Sequence, residues 1–204
     1  MRKPIIALDA DGVLLDYNLA YPYAWERAFG VYPKEKDPNA YWALDRWDIE
    51  WLDGERLVQL QAAFDTGFWE NLPAMPGALE ACHALHGAGH TLVCVSALPN
   101  EFESARLSNL RKLGFPIERV IATGKGDEIR SPKADALHQL KPVAFVDDFL
   151  PYMLGVHPDI HLALIQRNEK GSPNTREHLN KVASTHESLL DFARWWIDRQ
   201  SAKR

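Results

Sequence analysis

Two acidic runs carry the first chemical signal in this sequence. Asp9-Ala10-Asp11-Gly12-Val13 follows the apolar stretch Pro4-Ile5-Ile6-Ala7-Leu8, and Asp147-Asp148 follows Phe145-Val146. An aliphatic run that ends in acid reads as a strand buried on both faces, with carboxylates presented at its carboxyl end. Carboxylates this close repel one another and need a cation. A hard, oxygen-liganded divalent ion such as Mg²⁺ suits them, and no cysteine and histidine cluster offers a zinc site. Asp9, Asp11, Asp147 and Asp148 are therefore the candidate metal ligands, with Asp147 and Asp148 not separable as the direct ligand. Gly12 lets the chain turn away at once, because glycine takes backbone angles that other residues avoid.

Two further strand ends carry polar groups. Val93-Cys94-Val95 runs into Ser96, whose hydroxyl, with nearby backbone N–H groups, can hold a phosphate oxygen. In Ser131-Pro132-Lys133, Ser131 suits a helix N-cap, Pro132 the first helical position and Lys133 the first turn. A lysine there opposes the helix dipole, a cost that is explained if its ammonium faces the carboxylates and a transferred phosphoryl group. Lys125, between Gly124 and Gly126, is the rival lysine, and Arg130 is within reach of the same pocket.

The elements that must position these groups alternate. Strand-like runs recur at Thr91 to Val95, Arg119 to Ala122, Val143 to Val146 and Ile160 to Ile165, and helical patterns at Gly77 to His86, Asn100 to Leu113, Pro132 to Leu140 and Ser184 to Arg199. This order predicts an α/β fold with a doubly wound, mostly parallel sheet, whose ligands bind at the carboxyl ends of the strands. One interval breaks the alternation. From Leu15 to Leu72 only helix-like runs occur, including Glu55 to Phe64, so residues 16–72 are expected to form a small helical cap on a core made of residues 1–15 and 73–204. Five of the seven tryptophans lie in that interval. Aromatics either fill the core of such a small unit or line its ligand cleft, and Tyr17, Tyr21, Trp25, Trp42 and Trp47 are the candidates for a stacking face.

Composition narrows the function class. Twenty-three basic against twenty-eight acidic side chains give a net charge of −5, so there is no basic field for a nucleic-acid polymer or an anionic lipid surface. Apolar runs fall far short of the ~20 residues that span a bilayer, and Asp9 and Asp11 interrupt the first one before it resembles a signal peptide, so a cytoplasmic location is expected. Cys82 and Cys94 are expected to be buried free thiols, and the eight histidines are scattered, as solvated or structural residues are. The terminal helix should pack on the sheet, or alternatively form a dimer contact, so that the protein acts as a monomer or homodimer.

In order, Asp9-Ala10-Asp11-Gly12-Val13, Ser96, Lys133 and Asp147-Asp148 resemble the four motifs of the haloacid dehalogenase superfamily of aspartyl-nucleophile phosphatases. The resemblance covers residues 4–165, and the helical insertion directly after the first motif is similar to that family's small cap. Phe68-Trp69-Glu70-Asn71-Leu72-Pro73 through Met75-Pro76-Gly77-Ala78-Leu79-Glu80 also resembles the 5′(3′)-deoxyribonucleotidase branch. The resemblance implies a Rossmann-like core and a Mg²⁺-dependent phosphomonoester hydrolase working through an aspartyl-phosphate. Asp9 would be the nucleophile, Asp11 the general acid and base, and Ser96 and Lys133 the phosphate ligands. The substrate would be a small phosphorylated metabolite, first of all a nucleoside monophosphate and next a sugar or acid phosphate. A phosphomutase or phosphotransferase, or a non-catalytic phosphate-binding module, is the alternative.

Overall fold

The computed structural model describes residues 3–125, 130–167, 170–174 and 176–202. β1 (Ile5–Leu8) opens the sheet and is followed by four helices, α1 (Tyr17–Phe29), α2 (Ala43–Arg46), α3 (Gly54–Ala63) and α4 (Thr66–Trp69). Alternation then takes over: α5 (Ala78–Gly87), β2 (Thr91–Ser96), α6 (Glu103–Lys112), β3 (Ile117–Ala122), α7 (Ala134–Leu140), β4 (Ala144–Asp147), β5 (His161–Ile165), β6 (Ser184–His186) and α8 (Leu189–Ser201). The six strands are parallel in the order β3-β2-β1-β4-β5-β6. β1 is thus central, at the point where the strand order reverses direction, which is where such sheets open a crevice.

Side-chain alternation along each strand divides the core in two. Ile6 and Leu8 of β1 pack with Cys94 and Val146 beneath α5, α6, α8 and the helical insert, whereas Ala7 packs with Val93, Phe145 and Leu164 beneath Leu137 of α7. Cys82 and Cys94 are buried free thiols. No helix among the described residues is long and apolar enough to cross a membrane.

The sequence pattern and the structure differ at two places. The segment from Ser184 to Arg199, read as one helix, is a strand and a helix: Ser184, Thr185 and His186 pair with Ala163, Leu164 and Ile165 at the sheet edge. α8 begins only after Ser188, whose hydroxyl accepts the Asp191 main-chain N–H at 3.1 Å. The helix read from Pro132 begins instead at Ala134, with Lys133 at its cap position.

Three histidines have structural roles around α8. His161 Nε2 and His186 Nε2 each lie 2.9 Å from the Ser184 hydroxyl. His90 is neutral by construction: its Nδ1 faces the Leu85 carbonyl at 3.2 Å, and its Nε2 accepts the Trp196 indole N–H at 3.2 Å. Burial lowers its pKa, so the folded chain resists a proton that an unfolded imidazole accepts. This contribution is fully present above the unfolded imidazole's range and is lost as pH falls from there through the lower folded pKa. The gap in thermal midpoint between the wild type and His90→Gln should therefore narrow from about pH 7.5 to about pH 5.5, and a constant gap would contradict the neutral assignment.

Candidate active site

Register brings the polar strand ends together. Leu8 stands opposite Cys94 on one side and Val146 on the other, so Asp9, Ser96 and Asp147 emerge from one edge of three adjacent strands. The Asp9 main-chain N–H extends the ladder by donating to the Val146 carbonyl at 2.9 Å. Ser96 is buried at the end of β2, and its carbonyl accepts the Thr123 N–H at 2.9 Å.

Lys133 reaches this edge from the start of α7. Its side chain is fully buried, with Nζ 2.6 Å from Asp9 Oδ1 and 2.7 Å from Asp147 Oδ2, and 4.7 Å from the centre of the Tyr152 ring. The Ser131 hydroxyl accepts the Lys133 main-chain N–H at 3.2 Å, so the short Ser-Pro-Lys turn aims the side chain inward. Burial disfavours the ammonium, but the two carboxylates outweigh it and hold its pKa above the ordinary value. Lys125 is exposed, and Arg130 pairs with Asp135 at 2.8 Å on the surface. Of the two lysines, geometry places Lys133 at the carboxylates.

Asp9, Asp147 and Asp148 are buried, and each offers an oxygen within 4.8 Å of the others, an arrangement that can hold a metal ion. Burial pushes the Asp147 carboxyl well up against the pull of Lys133, and pushes Asp148 up against the pull of Arg167. With Asp11, the edge carries four carboxylates against the cationic Lys133, Arg106 and Arg167, so negative charge is in excess. A buried, oxygen-only donor set with surplus negative charge fits a hard divalent cation such as Mg²⁺.

The Asp11 side chain points elsewhere. Arg106 Nη2 lies 2.9 Å from its Oδ1 and 3.0 Å from its Oδ2, and the guanidinium lies 5.1 Å from the centre of the Trp69 ring. Burial raises the Asp11 pKa despite that guanidinium. Its carboxylate thus stands apart from the metal-type cluster, two residues from Asp9 and paired to a cation of its own. Arg106 is fully buried in α6 beside Ala105, Asn109 and Leu110, and no local pattern in the sequence singles it out.

Gly12 shows why the turn after Asp11 admits no side chain. Its φ is +85°, and a Cβ there would strike the Asp148 carboxylate and lie 2.8 Å from Arg167 Nε. Arg167 and Tyr41, both in contact with Asp148, were not legible in the sequence, since each sits in an irregular segment without a repeating pattern. Of the proposed stacking aromatics, Tyr21, Trp25 and Trp47 are buried in the core with the insert's other apolar residues. Tyr17 is half-buried against Phe64, Phe68 and Trp69, and Trp42 is exposed.

No protein-family model matches the sequence, and no curated protein matches it. Solved structures do match over almost the whole chain. A haloacid dehalogenase family hydrolase from Deinococcus radiodurans with bound phosphate and sodium is 17% identical and superposes with a TM-score of 0.65, covering 97% of this chain and 96% of that one. A haloacid dehalogenase-like hydrolase from Streptococcus pneumoniae is 14% identical at a TM-score of 0.64, covering 95% and 98%. An L-2-haloacid dehalogenase is 20% identical at a TM-score of 0.55, covering 96% and 99%. A parallel six-stranded sheet with acidic strand ends and a helical insert after β1 thus has the fold of the haloacid dehalogenase-like hydrolases.

Proposed function

We propose that the protein is a Mg²⁺-dependent phosphomonoester hydrolase that works through a phosphorylated Asp9. The observation that carries this reading is the buried Lys133 ammonium shared by Asp9 and Asp147, next to Asp148 and with Asp11 held separately by Arg106. In this reading Asp9 is the nucleophile, and Asp11, paired independently with Arg106, serves proton transfer. The phosphate bound by the Deinococcus radiodurans hydrolase agrees with a phosphoryl-transfer role for this fold.

In the first half-reaction an Asp9 oxygen attacks phosphorus, the ester P–O bond breaks, and Asp11 gives a proton to the departing alcohol oxygen. In the second, Asp11 takes a proton from water, the water oxygen attacks the aspartyl-phosphate, and inorganic phosphate leaves as Asp9 is restored. Lys133 and Ser96 bind the equatorial phosphate oxygens. Asp9, Asp147, Asp148 and the main-chain carbonyl of Asp11 would hold Mg²⁺, which when bound offsets the repulsion between the nucleophile and an anionic phosphate. Asp11 also separates this reading from dehalogenation, because a departing halide needs no proton. A phosphomutase or phosphotransferase would share the first half-reaction and differ in taking a bound hydroxyl as acceptor.

The substrate proposed is a small phosphorylated metabolite, with a nucleoside monophosphate as the first class to test. With three of the five candidate rings in the core, base stacking would fall to Tyr17 or Trp42. The protein is proposed to act in the cytoplasm as a monomer or homodimer.

Phosphate release from a panel of nucleotides and sugar phosphates should require Mg²⁺ and stop in EDTA. Asp9→Asn should lower it at least ~1,000-fold with the fold retained, since the nucleophile is lost. Substantial turnover by that variant would contradict the assignment. In single-turnover release of the alcohol, which reads the first half-reaction alone, Asp11→Asn should cost about 100- to 10,000-fold on alkyl phosphates and much less on p-nitrophenyl phosphate, whose leaving group needs little protonation. Equal losses on both substrates would remove Asp11 from the acid role.

A further inference from the structure

The helical insert meets the core at a buried polar knot centred on Asp148. Tyr41 Oη lies 3.1 Å from both the main-chain oxygen and Oδ2 of Asp148, although the two residues are 107 positions apart. Arg167 Nε donates to the same Oδ2 at 2.7 Å, and its guanidinium lies 4.7 Å from the centre of the Tyr41 ring. Asn174 Nδ2 donates to the Asp148 carbonyl at 2.7 Å, while its Oδ1 accepts the Leu150 N–H at 2.8 Å. Tyr41 and Asp148 are each 3% exposed.

Around this knot the segment after β5 grips the insert. The Tyr41 main-chain N–H donates to the Lys170 carbonyl at 3.1 Å, the Trp42 indole N–H donates to the Gly171 carbonyl at 3.0 Å, and Lys170 pairs with Asp37. The grip therefore ends on a carboxylate of the metal-type cluster. Two donors on one oxygen limit the rotation of the Asp148 carboxylate, and one of those donors belongs to the insert.

We propose that Tyr41 and Arg167 are positioning residues for Asp148, and that through Tyr41 the binding of a divalent cation is coupled to docking of the helical insert. The inference rests on the metal-site reading given above. Partners that orient a metal ligand typically contribute 10- to 100-fold in affinity. Coupling between two equilibria is reciprocal, so the ion must tighten docking by the factor that docking adds to ion affinity.

The test uses the full chain with Mn²⁺ as the probe, binding being followed by the paramagnetic signal of the free ion. In Tyr41→Phe, which keeps the ring under Arg167 and removes one hydroxyl, Mn²⁺ affinity should fall about 10-fold or more. Arg167→Lys, which loses the Nε donor and keeps the charge, should move in the same direction. Unfolding in EDTA reports whether either variant is damaged beyond the site. In the wild type Mn²⁺ should slow hydrogen exchange of the Tyr41 main-chain amide, and in Tyr41→Phe it should not. Unchanged affinity in both folded variants, or an insert whose exchange ignores Mn²⁺ in the wild type, would overturn the inference. A wild type that binds no Mn²⁺ would overturn it together with the metal site. Coupled binding without phosphate release from any ester would sustain the inference and overturn the phosphatase reading alone.

Discussion

A buried ammonium shared by two carboxylates sets the constraints on this molecule. Stripping water from Lys133, Asp9 and Asp147 costs several kcal/mol per ion, and only short, well-aimed contacts recover it. Those contacts at 2.6 and 2.7 Å require the ends of β1 and β4 to be neighbours, and the start of α7 to lie over them. A parallel sheet with β1 at its centre meets that requirement, because its strands deliver their carboxyl ends to the same edge. Gly12 then lets the chain leave without a side chain that would displace Asp148.

The same electrostatics divide the labour among the acids. Lys133 and Arg167 bring two positive charges to the three carboxylates of Asp9, Asp147 and Asp148, which leaves one negative charge without a cation. That deficit is what a hard divalent ion would fill. Asp11 lies outside it because Arg106 draws its carboxylate to a different wall, under Trp69. The proposed phosphoryl transfer to and from Asp9 would use the cluster for charge and the separate Asp11 carboxylate for protons.

Legibility in the sequence followed from how local each signal was. Asp9, Asp11, Asp147 and Asp148 were visible because each ends an aliphatic run, a pattern contained within a few residues. Lys133 was placed by its Ser-Pro context, although the helix itself starts one residue after the lysine. Ser184 to His186 was hidden because three residues beside a strongly amphipathic helix have no periodicity of their own; pairing with β5 decides their conformation. Arg106, Tyr41 and Arg167 were not legible at all. Their roles arise from contacts across 95, 107 and 19 positions, which no local pattern encodes.

Phosphorylation of Asp9 is the step on which the proposed hydrolase depends. It is tested most directly by mixing the protein with Mg²⁺ and excess p-nitrophenyl phosphate, quenching in acid at early times, and locating the phosphoryl group by mass spectrometry of the digested chain. A transient single phosphoryl group is expected on the peptide bearing Asp9, rising and decaying with turnover. Phosphate release with no acyl-phosphate at Asp9 at any quench time, or a phosphoryl group on another residue, would contradict it.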